Sequence, residues 1–524
     1  FVNMRLLFLT IVLILFYSCK TSILKPNILF IVVDDLGYYD LSVMGSTFYE
    51  TPNIDRIAYE GTIFTQGYSN SSVCSPSRAS LLTGLYPTVH GITDWIGAKK
   101  GTDWRNKGRK SKLLPSEYVN HLLARMTTLP EVFKSNGYKT FFAGKWHLGS
   151  EEEKSLPTDH GFDFNKGGYR AGGPYSGGYF SPFNNPFLVD QPEEKGISLS
   201  MKLARETSSF IKENAKNQFF AYLSFYAVHA PLQTSKDKWK KYRDKAVLQG
   251  ILEEGFFMGK RLPVRIKQDN PVYAGLIEQT DEAVGHVLKT LDNLNLNKNT
   301  IVIFVSDNGG VSTGDAFSTS NLPLRGGKGN QWEAGTKIPF FIKIPHLDIK
   351  GKKIDTPVIG SDLFPTLLDL AGIENSLKLD GKSLVPLLKD ESFDDRPLFW
   401  HYPHYGNQGG DPSAIVRQGK WKLIKYFENN TYELYDIIND YGEKKDVSDL
   451  FPEISASLKN LLEEWLLSTN AKIPEIDPIY NEEQEIKWRA ANKIKYKLRF
   501  EKQRKEELKL TYLPNEDWWG SYLE

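Results

Sequence analysis

The sequence predicts an α/β fold: a large, mostly parallel sheet between layers of helices, followed by a smaller antiparallel sheet with a helix. Two observations predict this. Continuous apolar, β-branched runs, which are typical of strands buried on both faces, alternate with longer helical stretches. From about residue 397 the runs become short and alternating, as in an antiparallel sheet. The chain of 524 residues is long enough for both parts.

The elements of the larger part follow from the pattern of each segment. Buried strands are predicted over 26–33, 219–226, 300–305 and 337–344, and helices over 128–136, 199–217 and 273–294. Residues 167–190 are rich in Gly, Pro, Asn and aromatic side chains and predict a long irregular loop. We therefore expect one main α/β domain over 26–396.

The C-terminal part has a different pattern of apolar and polar residues. Alternating runs over 413–416, 421–426 and 432–436 predict a small sheet, and 454–467 predicts a helix that packs on it. We expect a small α+β subdomain over 397–480. The segment 481–524, dense in Lys, Arg and Glu, predicts a charged helical tail exposed to solvent.

The first residues have the pattern of an export signal. Arg5 precedes an apolar run over 6–17 that is shorter than a membrane span, and Ser18-Cys19 follows. We expect a signal peptide over 1–19 of the bacterial lipoprotein type, with a lipid on Cys19 attaching the protein to a membrane. The alternative is a plain signal peptide with an incidental cysteine. Either reading predicts an exported protein in the periplasm or at the cell surface.

Bulk composition excludes some partners. The formal net charge of +1 offers no overall attraction for nucleic acid, so we expect no nucleic-acid partner. Apart from Cys19, the chain contains one cysteine, Cys74. An exported protein with a single thiol has no disulfide framework, and Cys74 therefore needs another explanation.

Two acidic pairs follow predicted buried strands. Asp34-Asp35 comes after the run 26–33, and Asp307-Asn308 comes after 300–305. A parallel sheet brings its carboxyl strand ends together, where ligands commonly bind. Three carboxylates and an amide suit Ca²⁺ or Mg²⁺ rather than zinc. Surface turns and helix caps use Asp as well, but the occurrence of both pairs at strand ends favours a metal site.

The segment Cys74-Ser75-Pro76-Ser77-Arg78 predicts the start of a helix. Pro76 suits a first turn, so Cys74 would lie at the helix N-terminus, where amides and the helix dipole favour negative charge. Arg78 is four residues on and can reach the same place. An activated thiol is one interpretation of such a cysteine. No signature of a cysteine hydrolase accompanies it.

In these motifs the chain resembles the type I sulfatases, the formylglycine-dependent family of the alkaline phosphatase superfamily. The run CSPSRASLLTG over 74–84 is similar to their signature. The likeness extends over 26–435 and includes PNILFIVVDDLG (26–37), GKWHLG (144–149), VHAP (228–231), SDNG (306–309) and LRGGKG (324–329). Several short motifs in the family's order make a chance match implausible.

The resemblance implies a site and a mechanism. A separate formylglycine-generating enzyme would convert Cys74, and Asp34, Asp35, Asp307 and Asn308 would hold one divalent ion, Ca²⁺ in most relatives. One hydroxyl of the hydrated formylglycine would bind that ion and attack sulfur. The second hydroxyl would then expel sulfate and restore the aldehyde, a step that serine lacks.

The other implied roles come from matching positions. Arg78 would orient the nucleophile, Lys145 would contact sulfate and formylglycine, and Lys328 would neutralise the sulfate. His147 would act as base in the second step and His229 as general acid on the leaving oxygen. Because Lys145 and His147 are two residues apart after the apparent strand 140–143, an extended chain would point both to one face.

Arg170, His401 and His404 are candidates for binding the sugar of the substrate. Residues 98–112 contain seven Lys or Arg and one acid, Asp103, so this loop could guide a sulfated polymer or simply be solvated. His90 is expected to be a structural hydrogen-bonding group. The predicted substrate is a sulfated carbohydrate, such as a polysaccharide or its oligosaccharides.

Two other functions compete with this one. A hydrolase of phosphonate monoesters or phosphodiesters in the same superfamily would share C-x-P-x-R. The two lysines and two histidines around one ion favour sulfate esters, and the histidine pattern of a zinc phosphatase is missing. A non-catalytic lipoprotein that binds sulfated glycans would be expected to have lost a matched polar residue, and none is lost.

Overall fold

The computed structural model describes residues 25–515 except 176, 315 and 348. The predicted signal peptide and Cys19 lie outside these residues. The strands are β1 Asn27–Val33, β2 Thr62–Phe64, β3 Gly67–Tyr68, β4 Leu113–Leu114, β5 Lys139–Gly144, β6 Phe164–Lys166, β7 Phe219–Ser224, β8 Phe256–Met258, β9 Pro263–Arg265, β10 Thr300–Ser306, β11 Phe340–Lys343, β12 Lys352–Ile354, β13 Val358–Ile359, β14 Leu398–Tyr402, β15 Ser413–Gln418, β16 Trp421–Tyr426, β17 Thr431–Asp436 and β18 Glu475–Ile476.

The α-helices occupy most of the connections between these strands. They are α1 Pro52–Glu60, α2 Cys74–Thr83, α3 Pro87–His90, α4 Leu129–Ser135, α5 Leu199–Glu213, α6 Lys236–Leu248, α7 Pro271–Asn293, α8 Glu333–Thr336, α9 Leu363–Leu370, α10 Val385–Leu388, α11 Pro452–Ser468 and α12 Glu482–Glu507. Short 3-10 helices lie at Ser42–Met44, Gly101–Lys107, Pro157–His160, Pro192–Glu194, Leu296–Lys298 and Gly360–Asp362.

The central sheet is large and mixed. Its strand order is β12-β2-β11-β10-β1-β7-β5-β6, and the strands from β10 to β6 run parallel. β11 is antiparallel to β10 and β2. Within the described residues, the long connection from β10 to β11 holds only the one-turn helix α8, so no crossover helix returns the chain to start a parallel strand. The predicted mostly parallel sheet is confirmed, with this exception.

Helices cover both faces of the sheet. Side chains alternate along β1: Leu29, Ile31 and Val33 pack in one apolar cluster with residues of α5 and α7. Ile28, Phe30 and Val32 pack on the other face with residues of α2 and α9. A strand buried on both faces has to be apolar at every position, which explains the continuous run in the sequence.

The C-terminal elements form a second core. β14, β15, β16 and β17 make an antiparallel sheet in chain order, and α11 packs on it through Leu458, Leu462 and Leu466. The tail helix α12 differs from the expectation of a solvent-exposed helix. Its last turns are anchored, because Phe500 stacks on Phe317 with ring centroids 3.9 Å apart and Arg504 is fully buried. In the part of the chain that the structure describes, no helix is long and apolar enough to span a membrane.

Candidate active site

The two acidic pairs meet at one edge of the central sheet. β1 and β10 are parallel neighbours in which Val33 faces Ser306, so the next residues, Asp34 and Asp307, emerge side by side. One carboxylate oxygen from each of Asp34, Asp35 and Asp307 lies within 4.8 Å of the others. Asp35 has a φ of 63°, a left-handed conformation that is uncommon outside glycine and is concentrated at functional sites.

Each carboxylate has a basic partner. Lys145 Nζ lies 2.5 Å from Asp34 Oδ2, Arg78 Nε lies 2.7 Å from Asp307 Oδ2, and Lys328 Nζ lies 2.7 Å from Asp35 Oδ1. All of these side chains are buried. Three cations therefore balance three carboxylates, which limits the cost of burying the acidic cluster.

The three carboxyls titrate differently because their surroundings differ. Burial, followed by the charge of Asp307, raises the pKa of Asp34 well above its ordinary value. Burial alone would also raise the pKa of Asp35, but the charges of Lys328 and His229 outweigh burial, so this pKa is lowered. The pKa of Asp307 is lowered as well, because Arg78 and Lys145 outweigh burial.

The cluster also has oxygen atoms without a hydrogen-bond donor. Among the described residues, Asp34 Oδ1 and Asn308 Oδ1 are buried and have no hydrogen-bond partner. An unsatisfied buried acceptor is costly, and a cation can satisfy it. Asn308 Nδ2 donates to Asp35 Oδ1 at 2.8 Å, which leaves the amide oxygen for another ligand. Hard oxygen donors of this kind fit Ca²⁺ or Mg²⁺.

Cys74 is the first residue of α2, as the sequence predicts. Its Sγ lies 3.3 Å from His147 Nδ1, and the side chain is buried. Burial raises the pKa of the Cys74 thiol, so the cysteine is protonated at neutral pH and is a weak nucleophile. Arg78, one turn further along α2, also donates to the Lys145 carbonyl at 2.8 Å and to Ser224 Oγ at 2.6 Å.

Lys145 and His147 reach the site in different ways. Lys145 directly follows β5 and turns to Asp34. His147 has a φ of 57°, so the chain is not extended there as expected from the two-residue spacing. Its Nε2 lies 3.1 Å from the Ile96 carbonyl, which holds the ring against Cys74. Burial, followed by Lys145, lowers the pKa of His147 well below its ordinary value.

His229 lies five residues after the end of β7, beside Asp35. Its Nε2 lies 3.8 Å from Asp35 Oδ2, and its Nδ1 lies 2.5 Å from the Ala230 carbonyl. Because only an N–H can donate to a carbonyl, Nδ1 carries a proton and Nε2 is the atom available for proton transfer. Burial first, and then Lys328, lower the pKa of His229 to about 3, so the ring is neutral at pH 7.

A cavity of about 290 Å³ opens onto this cluster. Arg170, a predicted sugar contact, lines it and pairs with Glu153. Further polar and aromatic residues of the wall were not predicted from the sequence. Tyr175 belongs to the irregular loop that the composition indicated, whereas no sequence signal pointed to the others. The lining residues are Val73, Cys74, Trp95, Ile96, His147, Arg170, Ala171, Gly172, Tyr175, His229, Lys328, Asn407 and Gln408.

The structure does not bring His401 or His404 to this cavity. Both rings are buried in the protein: His401 Nε2 lies 2.8 Å from the Lys472 carbonyl, and His404 Nε2 lies 2.9 Å from Thr93 Oγ1. Neither ring lines the cavity with Cys74, so neither histidine is placed to contact sugar there. His90 is the structural group expected, because it contacts Ser80 Oγ at 3.1 Å and accepts from the Ile92 amide.

The basic loop 98–112 packs against the tail rather than standing free. Arg105 pairs with Asp477 at 2.6 Å. The Arg109 guanidinium lies over the rings of Trp104 and Trp488, 5.3 and 5.8 Å from their centroids. Arg109 Nη2 also donates to Asn407 Oδ1 at 3.2 Å. The loop therefore joins helix α12 to the wall of the cavity.

Comparison with known proteins identifies the family. A model of the sulfatase family matches residues 26–373, more than half of the chain. The chain belongs to the sulfatase family. It is therefore an enzyme that hydrolyses sulfate esters, on the alkaline phosphatase-like fold expected from the resemblance. A second family model, described as the C-terminal part of N-sulphoglucosamine sulphohydrolase, matches residues 328–469.

Individual relatives agree with this assignment. A sulfatase of Formosa agariphila is 30% identical, over 85% of this chain and 90% of its own. Human N-acetylgalactosamine-6-sulfatase is 32% identical, over 81% of this chain and 76% of its own. The crystal structure of Ps i-CgsB in complex with k-i-k-neocarrahexaose superposes with a TM-score of 0.66 and 28% identity, over 92% of this chain and 100% of the other.

Proposed function

We propose that this sulfatase is exported and hydrolyses sulfate esters of carbohydrates by means of a formylglycine made from Cys74 and one divalent cation. The observation that carries the proposal is a single buried cluster. Cys74 opens onto the same cavity as Lys328 and His229, beside an unsatisfied carboxylate oxygen of Asp34 and an unsatisfied amide oxygen of Asn308. Such a cluster suits an anionic ester and a cation together.

The residues present fit a divalent cation. Asp34, Asp35, Asp307 and Asn308 would hold it, with Ca²⁺ as the expected ion and Mg²⁺ as the alternative. When bound, the cation supplies Lewis-acid polarisation of the sulfate and lowers the pKa of a bound hydroxyl. Lys145 and Arg78 keep the carboxylates of Asp34 and Asp307 in place, each through a hydrogen-bonded ion pair.

The reactive group proposed at Cys74 is an aldehyde hydrate. The Sγ atom in the structure stands where the hydroxyls of hydrated formylglycine would lie. This group supplies one hydroxyl to attack sulfur and a second whose ionisation lets sulfate leave. Conversion requires a formylglycine-generating enzyme as partner. His147, whose Nδ1 lies 3.3 Å from Sγ, is placed to take the proton of the second hydroxyl.

Two further side chains serve the sulfate ester itself. Lys328, which pairs with Asp35 and lines the cavity with Cys74, offers its ammonium to the sulfate oxygens. His229 presents Nε2 to the leaving sugar oxygen while Nδ1 is held by the Ala230 carbonyl. The negative charge of a bound sulfate ester favours the protonated ring, which then delivers its proton to the leaving group.

A carbohydrate substrate is supported by the cavity and by the relatives. Aromatic Trp95 and Tyr175 and polar Arg170 and Gln408 line the space around Cys74, a mixture that suits a sugar. The relatives' names include N-acetylgalactosamine-6-sulfatase, and a related structure contains neocarrahexaose. We propose a sulfated polysaccharide or its oligosaccharides as the substrate.

Export rests on the sequence of residues 1–19. We propose that the signal peptide is removed before Cys19 and that a lipid on Cys19 holds the enzyme to a membrane, in the periplasm or at the cell surface. Cell fractionation tests this: the wild type should sediment with membranes, whereas Cys19→Ala should be released. Equal distribution of both proteins would contradict the anchor.

The function is tested with the enzyme co-produced with a formylglycine-generating enzyme. Sulfate release is measured from a panel of N-acetylgalactosamine 6-sulfate, glucosamine sulfates and neocarra-oligosaccharides, each as single sugars and as chains where available. We expect release from at least one of them, its loss in Cys74→Ala, and its loss on chelation with recovery on adding Ca²⁺. Hydrolysis of phosphonate or phosphate diesters but of no sulfate ester would refute the proposal.

A further inference from the structure

A second cavity lies directly beside the active-site cavity. It has a volume of about 250 Å³ and is lined in part by the hairpin of β8 and β9. Gln408 lines both cavities and is their shared wall. The loop that carries Lys328 also contributes Asn330 to the second cavity. The near walls are thus two residues apart in the chain, a span of at most about 7 Å.

Gly329 allows the two cavities to approach so closely. It has a φ of 71°, and a Cβ built on it would lie 2.6 Å from Gln408 Oε1. A larger residue would push Gln408 away and enlarge the partition. With glycine, a molecule whose sulfate lies at Lys328 needs to extend by only about one ring to reach the second cavity.

The second cavity is basic and partly aromatic. Lys260, Arg261 and Arg325 line it together with Phe257, whose side chain is 46% exposed. Asp411 pairs with Lys260 and Arg261, and Glu428 also pairs with Arg261. Among the described residues, Arg325 has no carboxylate partner and its guanidinium lies over the Trp332 ring, so the wall keeps a positive excess. A positive, aromatic-edged surface suits the ring and the anionic substituents of a sugar.

The wall between the cavities is held firmly in place. Arg261 also contacts Glu428 at 3.2 Å and lies over the Tyr405 ring, 5.1 Å from its centroid. On the other side, Arg109 donates to Asn407, next to Gln408. A wall that is ordered in this way costs little further entropy when a ligand binds.

We propose that this second cavity is a subsite for the anionic sugar adjoining the one that carries the scissile sulfate. The inference rests on the proposed carbohydrate function. It makes the enzyme selective for oligosaccharides over single sugars, with Lys260 and Phe257 as residues that determine this preference without touching the reacting atoms.

The experiment compares chain lengths in two matched variants. The Lys260→Glu variant reverses the charge in the second cavity. Lys420→Glu is its control, because both lysines pair with an Asp, lie over an aromatic ring and are 43% and 46% exposed. Lys420 lines neither of the two cavities. Rates are measured with 4-nitrophenyl sulfate and with the panel sugars as chains of one, two, four and six residues.

For the wild type we expect kcat/KM to rise by about tenfold or more between one residue and two to four residues, the effect of one moderate additional contact. The Lys260→Glu variant should lose this gain, whereas Lys420→Glu should keep it and both should hydrolyse 4-nitrophenyl sulfate like the wild type. Phe257→Ser should reproduce the loss independently, which covers the case that Lys260→Glu disturbs its surroundings.

The failures of the two proposals differ. The subsite would be overturned, and the carbohydrate function left standing, by equal kcat/KM values for single sugars and chains. The same conclusion would follow if Lys260→Glu and Lys420→Glu behaved alike and Phe257→Ser kept the wild-type preference for chains. Hydrolysis of 4-nitrophenyl sulfate but of no panel sugar would overturn both.

Discussion

Replacement of His229 by alanine removes the proton donor proposed for the leaving group. The His229 side chain lines the cavity with Cys74, and its Nε2 is 3.8 Å from Asp35 Oδ2 at the centre of the acidic cluster. A positioned general acid contributes about 10²–10⁴ in rate. We therefore expect kcat/KM for a sugar sulfate to fall by that factor, which corresponds to about 2.7–5.4 kcal/mol of lost transition-state stabilisation.

The size of the loss depends on the leaving group. A sugar alkoxide is a strong base and needs the proton, whereas 4-nitrophenolate leaves without it. The assay therefore compares His229→Ala with the wild type on both kinds of substrate. With 4-nitrophenyl sulfate we expect a loss of less than about tenfold, because the general-acid contribution is absent from that reaction.

Lys328→Met is the matched control for this experiment. The Lys328 ammonium contacts Asp35 at 2.7 and 2.8 Å and is assigned to the sulfate, which both substrates share. Its loss should lower both rates alike, by about 10²–10³. If His229→Ala slowed both substrates equally, as Lys328→Met is expected to do, the assignment of His229 as general acid would be wrong.

Three further predictions concern the tail, stability and the cation. Trp488→Ala removes a ring that contacts the Arg109 guanidinium, which in turn donates to Asn407 in the wall of the active-site cavity. The KM for sugar chains should therefore rise several-fold in steady-state kinetics, with little change for 4-nitrophenyl sulfate. Equal KM values in the variant and the wild type would contradict this coupling. Burial raises the pKa of the Asp269 carboxyl, but the charges of Arg265 and Arg504 outweigh burial, and the pKa is lowered. The ionised carboxylate therefore stabilises the fold above about pH 4, and this stability is lost as the pH falls. In urea unfolding, Asp269→Asn should therefore cost about 3 kcal/mol at pH 7 and about 1 kcal/mol less at pH 3, where the carboxyl of the unfolded chain is mostly protonated. An equal cost at both pH values would refute the ion-pair account. Ca²⁺ at 100 times its Kd should add about 2.7 kcal/mol to the unfolding free energy of the wild type and far less in Asp307→Asn; equal shifts in calorimetry would place the ion elsewhere.

Much of the fold and of the cluster could be predicted because strong local patterns determine them. The run before Asp34 is apolar at every position because β1 is buried on both faces, and its parallel pairing with β10 brings Asp307 alongside. Cys74 begins α2 as the Pro76 position indicates. In each case the chemistry lies within a few residues of a regular element.

Other features depend on contacts between distant segments. His401 and His404 resemble sugar ligands in sequence, but both rings are buried outside the cavity. Each contacts a residue far away in the chain, Lys472 and Thr93 respectively. The tail helix is charged throughout, yet Arg504 is buried because Asp269 lies opposite it at 2.7 Å. Gln408 comes from an irregular loop, where no periodicity indicates which side chain faces the cavity.

The mass of the tryptic peptide 57–78, which contains Cys74, tests the central claim most directly when measured beside sulfate release. Protein made with a formylglycine-generating enzyme should show a loss of about 18 Da relative to cysteine. Sulfate release should rise in proportion to the converted fraction. Full activity in protein whose Cys74 peptide retains the mass of cysteine would contradict the account.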